Sequence, residues 1–175
     1  MTNYRRDTTP GGTWFFTVNL ADRSSALLTD NIDLLRAAHR YTLRSHPFKI
    51  DAMVVLPDHM HAIWTLPEND RDFSTRWRLI KTEFSRALPK VEPQSESRKI
   101  QMERGIWQRR FWEHKIRDEN DFAQHVDYIH INPVKHGYVK QVRDWPWSSF
   151  HRFLRDGILA KDWAGEINID FNYGE

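Results

Sequence analysis

The 175-residue sequence contains no cysteine. That excludes a disulfide framework and every thiolate metal site, and it fits a reducing compartment. Long apolar runs are also missing. No stretch approaches the roughly 18–20 residues of a membrane span, and the leader from Met1 to Pro10 is polar, with Arg5 and Arg6 and no apolar run behind them. The expectation is therefore no signal peptide, no membrane segment and a cytoplasmic protein. Net charge is nearly absent too: a formal +2 is too small to argue for a nucleic-acid partner by itself.

What is present is more informative. Hydrophobic residues make up 39% of the chain, enough for one soluble domain with a real core. Aromatics reach 13%, with eight Trp; they either fill that core or stack on the bases of a single strand. The charge is unevenly spread. Seven Lys or Arg face two Glu between Arg98 and Arg117, whereas the last twenty residues carry five acids against Lys161 alone. A basic stretch beside an acidic tail fits a phosphate-binding face, and equally fits solvated loop charges.

Thr13–Leu20, after Gly11-Gly12, is rich in β-branched and aromatic residues and reads as a first strand. Ile32, Leu35, Ala38 and Leu43 fall near helical spacing within 29–46, with Thr29 or Asp30 as N-cap and Pro47 as stop. Phe48–Leu56 and His59–Leu66 read as a hairpin around Pro57-Asp58. Asp72–Leu88 is a second helix, capped by Asp72 or Ser74, with Trp77, Ile80 and Phe84 as its apolar stripe. Residues 89–105 read as a flexible insertion, Trp107–Ile116 as a fourth strand, and 119 to about 132 as a helix capped by Asp118 and ended by Pro133 and Gly137. A short helix is expected around Ser148–Leu154. The order predicts one α+β domain over 1–175: a ferredoxin-like βαββαβ antiparallel sheet with helices on one face, plus an extra tyrosine-bearing helix. Residues 1–12 form a polar arm and 138–175 a C-terminal extension.

Two constellations carry chemistry. In His59-Met60-His61 the alternation of a strand points both imidazoles to one face, where they can share a metal; the plainer reading is two exposed histidines at a strand start. In the run from His125 to Gly137, Tyr128 and Asn132 lie one helical turn apart, His125 lies on the same side, and Lys135 follows if the helix persists past Pro133. Val126, Ile129 and Val134 are left to face the sheet. Packed against His59 and His61, that stripe would bring a phenol to a metal; alone, Tyr128 reads as a half-buried aromatic.

Leu56-Pro-Asp-His-Met-His61, Trp107-Gln-Arg-Arg-Phe-Trp-Glu-His114 and Asp127-Tyr-Ile-His-Ile-Asn-Pro-Val-Lys-His-Gly137 together resemble the REP-associated tyrosine transposases, as do Gly11–Asn19 and Trp145–Phe150. The likeness runs from about Tyr4 to Trp163, and the family belongs to the HUH single-tyrosine enzymes. It implies that His59 and His61 are metal ligands, Asn132 the third ligand and Tyr128 the nucleophile. It further implies a 5′-phosphotyrosine, a free 3′-OH and a strand transfer that needs no ATP. His130 stands where some relatives have a second Tyr. Imidazoles by themselves favour Zn, Cu or Ni, while the positions left open by two His and an amide suit Mg or Mn; the resemblance implies Mg or Mn.

The same resemblance implies a single-stranded DNA partner, the REP hairpin, with Arg5 and Arg6 reading a tetranucleotide beside it. Arg78 and Lys81 share a helix face, Arg109 and Arg110 adjoin Trp107 and Trp112, and Lys135 follows the tyrosine; all are candidate DNA contacts. The expected protein is a monomer, cytoplasmic and held at the nucleoid through DNA. Alternatives are a domesticated hairpin-binding regulator, a replication-type nickase or relaxase, disfavoured by size, and a water-using metallohydrolase, disfavoured because no acidic base is evident beside the His pair.

Overall fold

The computed structural model describes residues 9–91, 95–165 and 173–174. Four strands, β1 (Thr13–Asn19), β2 (Lys49–Val55), β3 (His59–Thr65) and β4 (Trp112–Lys115), form one sheet in the order β2-β3-β1-β4. Every pairing is antiparallel, which is the ferredoxin-like arrangement. The central strands β1 and β3 are buried on both faces, so their sequences, TWFFTVN and HMHAIWT, are nearly continuous in bulky residues.

One face is covered by α2 (Ile32–Ser45) and α3 (Phe73–Ala87), which pack on each other as well as on the sheet. Trp77, Ile80 and Phe84 recur at three- and four-residue spacing and are fully buried. They meet Trp14, Phe16, Met60 and Trp64, with Trp64 and Trp77 stacked 4.0 Å apart. Most of the tryptophans read as ambiguous are thus core. Asp72 caps α3 by accepting from the Thr75 amide at 2.9 Å. The first helix starts differently from the sequence reading. A four-residue turn, α1 (Leu27–Asp30), breaks at Asn31, whose amide donates to the Leu27 carbonyl, so neither Thr29 nor Asp30 caps α2.

The other face takes α5 (Glu119–Lys135). Its Val126 and Ile129 pack on Phe15, Ala52, Val54 and Ile63. Val134, expected on the sheet, instead joins Ile131, Val142 and Phe150 under α6 (Phe150–Arg155). Asp118 caps α5 by accepting from the Asp121 amide at 2.8 Å.

Pro133 does not stop α5, which runs two residues further. Its real end is Gly137 at φ +75°: the Tyr138 amide donates to the Pro133 carbonyl and the Gly137 amide to that of Val134. This is the paired C-terminal closure in which glycine takes the left-handed position. The edge strand β2 is covered by the segment after Trp145, through Val55 amide to Trp147 carbonyl and Ser149 amide to Met53 carbonyl, 2.9 and 2.8 Å. The strand expected from Trp107 begins only at Trp112; residues before it contribute one bridge, Leu20 to Trp107. Within 89–105 lies a five-residue helix, α4 (Glu96–Ile100). Among the described residues no helix is long and apolar enough to cross a membrane.

Candidate active site

His59 and His61 project from β3 toward α5, and both are buried, 1% and 0% exposed. The exposed-histidine reading therefore fails. Their rings lie 5.0 Å apart, nearly perpendicular. Each is held from behind. His59 Nδ1 lies 2.7 Å from Asp58 Oδ1, and since a carboxylate only accepts, Nδ1 carries the proton. His61 Nδ1 lies 2.8 Å from Thr17 Oγ1, directly across from it in the β1–β3 register. The Thr17 hydroxyl gives its only proton to the Tyr173 carbonyl at 2.5 Å, so His61 Nδ1 must be the donor. In both rings the nitrogen that bears a lone pair is Nε2. Two imidazoles fixed in this tautomer by outer partners are the arrangement of metal-ligating histidines, and the donor set fits a divalent cation.

Asp58 also accepts from Arg23 Nε at 2.5 Å. Burial pushes its pKa up, but the hydrogen bonds from His59 and Arg23 outweigh this and hold it at about 2. A carboxylate does therefore adjoin the pair, contrary to the sequence reading. It lies behind His59 with its oxygens already engaged by His59 Nδ1 and Arg23 Nε, so the case against a metallohydrolase rests on that engagement and not on a missing carboxylate.

Tyr128 enters from α5. Its ring is 1% exposed, lies 5.2 Å from that of His61 edge-on, and stacks face to face with Tyr173 at 3.5 Å. Burial, and then the charges of Asp121 and Asp127, raise the Tyr173 phenol pKa. Lys135 Nζ donates to the Tyr128 hydroxyl at 3.0 Å. Asn132 is fully buried one turn after the tyrosine. Two neighbours went unassigned in the sequence reading. His136, at the C-cap of α5, sits with its ring 5.2 Å from His59; it is eight residues after Tyr128, a spacing that counts only once α5 passes Pro133. Tyr173 is brought in by the C-terminal tail, which no periodicity could signal.

A second histidine cluster anchors the start of α5. His114 Nε2 donates to Asp121 at 2.9 Å, the Arg117 amide and Nε donate to the same carboxylate, and the His114 and His125 rings stack 4.7 Å apart. Burial raises the Asp121 pKa, and the bonds from His114 and Arg117 override it, to about 2. The ligand atoms of His114, Asp121 and His125 lie within 4.8 Å of one another, close enough to hold a cation. The carboxylate, however, is already engaged by an arginine and a histidine, and the cluster reads as a clamp between β4 and α5. His130 is buried too, its pKa lowered to about 3 by burial and then by the Arg152 and His151 charges.

Of the basic residues, Arg78, Lys81 and Arg109 line one groove of about 700 Å³ with Arg98, Arg104 and Trp107. Arg110 is exposed and outside its lining. The groove flanks α3, so the sheet lies between it and the His–Tyr site, whereas Lys135 is at that site. Arg5 and Arg6 lie outside the described residues.

A four-stranded ferredoxin-like sheet with a His-x-His strand faced by a tyrosine helix defines an α+β protein whose candidate site brings two histidines and a tyrosine together. No protein-family model matches the chain. It is 54% identical to the REP-associated tyrosine transposase of Escherichia coli K12 over 175 residues, covering 100% of this chain and 98% of that one. A relative from Haemophilus influenzae that bears the same family name is 52% identical over 170 residues, 97% of each chain. A solved structure of a REP-associated tyrosine transposase bound to a REP hairpin superposes with a TM-score of 0.86 at 53% identity, covering 100% of this chain and 98% of that one. The chain belongs to the REP-associated tyrosine transposases.

Proposed function

We propose that the protein is a metal-dependent endonuclease and strand transferase that acts on REP hairpins in single-stranded DNA through a 5′-phosphotyrosine on Tyr128. The observation that carries this reading is the pair of histidines with both Nδ1 atoms tied back, by Asp58 and Thr17, beside the Tyr128 ring. His59, His61 and Asn132 would hold the ion, Mg or Mn. When bound, such an ion polarises a non-bridging phosphate oxygen and offsets charge in an in-line displacement. Tyr128 Oη forms a bond to phosphorus while the bond to the 3′-oxygen breaks; the phenol loses one proton and the 3′-oxygen gains one, so the exchange is balanced. The hairpin is the ligand of the similar solved structure. Arg5, Arg6, Arg78, Lys81, Arg109 and Arg110 would contact DNA, with Lys135 at the scissile region beside Tyr128, from a single cytoplasmic domain working as a monomer.

Tyr128 is buried and one face of its ring is covered by Tyr173, so attack on a phosphate would need the Tyr128 hydroxyl to be uncovered. That stack is the specific observation favouring a second reading, a hairpin-binding regulator that cuts little. Incubating a labelled single-stranded REP hairpin with Mg or Mn separates the two. Wild type should yield a covalent protein–DNA adduct and Tyr128→Phe none. Equal cutting by Tyr128→Phe rejects the tyrosine mechanism, and tight binding without an adduct favours the regulator.

A further inference from the structure

Lys135 is seven residues after Tyr128. Seven residues of α-helix turn through about 700°, so the two side chains leave the same face, separated by about 10.5 Å along the axis. Helix side chains lean toward the N-terminus, and the long lysine chain spans the gap: Nζ reaches the Tyr128 hydroxyl at 3.0 Å and lies 4.8 Å from the ring centroid. The contact exists only because α5 continues through Pro133 to its closure at Gly137.

We infer that Lys135 is a catalytic residue, the cation that stabilises the Tyr128 oxygen when it carries negative charge, most of all when it leaves as phenolate during strand rejoining. The inference rests on the phosphotyrosine reading and assigns a role within it. An ammonium N–H to a phenol oxygen is a hydrogen bond whose strength grows with the charge on the acceptor. In rejoining, a 3′-oxygen bonds to phosphorus and gives up its proton, the P–Oη bond breaks, and the phenol oxygen departs with the electron pair and then takes a proton. A donor already aimed at that oxygen needs no reorganisation at the moment charge develops. A lysine that merely held a backbone phosphate would have no reason to end on the nucleophile.

The test uses the full chain with Mn and a single-stranded REP hairpin carrying its flanking sequence. Lys135→Met and Lys135→Arg are compared for adduct formation, for rejoining of the purified adduct to a strand with a free 3′-OH, and, in a Tyr128→Phe background, for hairpin affinity. Lys135 is exposed, so both variants are expected to fold, which circular dichroism checks. Loss of a donor to a developing oxyanion costs on the order of 100-fold in rate. Lys135→Met should lose about that in rejoining at saturating DNA, with affinity within about twofold, and Lys135→Arg should recover most of it. Rejoining by Lys135→Met at the wild-type rate, while Tyr128→Phe is dead, overturns the inference alone. So does a defect that disappears at saturating DNA, the mark of a simple phosphate contact. Cutting by Tyr128→Phe, or no adduct from wild type, overturns the phosphotyrosine reading and this inference with it.

Discussion

Asp58 accepts a 2.7 Å hydrogen bond from Nδ1 of His59, the residue that follows it in the chain. The bond turns the imidazole so that Nε2, not Nδ1, meets whatever occupies the site. Outer-sphere partners of this kind typically contribute about 10–100-fold to metal affinity. Asp58→Asn should therefore weaken Mn binding by roughly that factor, measured by calorimetry or by the loss of free Mn signal in electron paramagnetic resonance. His61→Ala should remove most binding. Unchanged affinity in both variants would sink the ligand assignment.

The clamp at Asp121 predicts how the fold responds to acid. Its carboxyl is held at about 2 in the folded protein against an ordinary value of 3.8. A depressed pKa means stability that is fully present above about 4 and is lost as pH falls from there through about 2. Asp121→Asn removes that carboxylate. At pH 7 it should cost on the order of 1–3 kcal/mol, because the buried carboxylate's charge-assisted bonds from His114 and Arg117 are lost, yet its stability should fall less than wild type between pH 4 and pH 2. Urea unfolding across that range reads both effects, and parallel acid limbs would contradict them.

Gly137 closes α5 at φ +75°, and an added Cβ would meet nothing within 4 Å. The cost of Gly137→Ala is thus conformational and not steric, about 1–2 kcal/mol for placing an L-residue in the left-handed region. In a chain of this size that corresponds to a fall of roughly 2–8 °C in Tm. A Tm equal to that of wild type would mean that the closure does not constrain the helix end.

The closure also marks where the sequence stops being legible. Strand alternation correctly put His59 and His61 on one face, and Asp72 and Asp118 announced their helices, because these signals are local. Pro133 misled because proline removes only one intrahelical donor; here a buried helix with Val126 and Ile129 on the sheet keeps its course. Reading the helix as ended hid His136 and left Lys135 as one more candidate DNA contact. Thr17 and Tyr173 could not be found from pattern at all. One needs the β1–β3 register to be seen opposite His61, and the other is 45 residues from the tyrosine on which it stacks. Asp58 was visible beside His59 but carried no sign of its direction, which only the turn geometry supplies.

The groove flanking α3 gives the last prediction. Lys81 Nζ is engaged by the Gln108 carbonyl at 3.1 Å and lies over the Trp107 and Phe111 rings, both at 5.6 Å. Arg109 is tied to Glu103 at 2.8 Å and Ser97 at 3.0 Å. If the groove takes DNA phosphates, Arg78→Ala should lower hairpin affinity and reduce the slope of log affinity against log salt by about one, the signature of a lost phosphate contact. Lys81→Ala should have the smaller salt effect, since part of its role is packing against the two rings. Because the sheet separates this groove from Tyr128, neither variant should change the cleavage rate at saturating DNA. A salt slope identical to wild type in Arg78→Ala would remove this face from the DNA-binding surface, whereas a rate defect at saturation would mean that the two faces are coupled through the sheet.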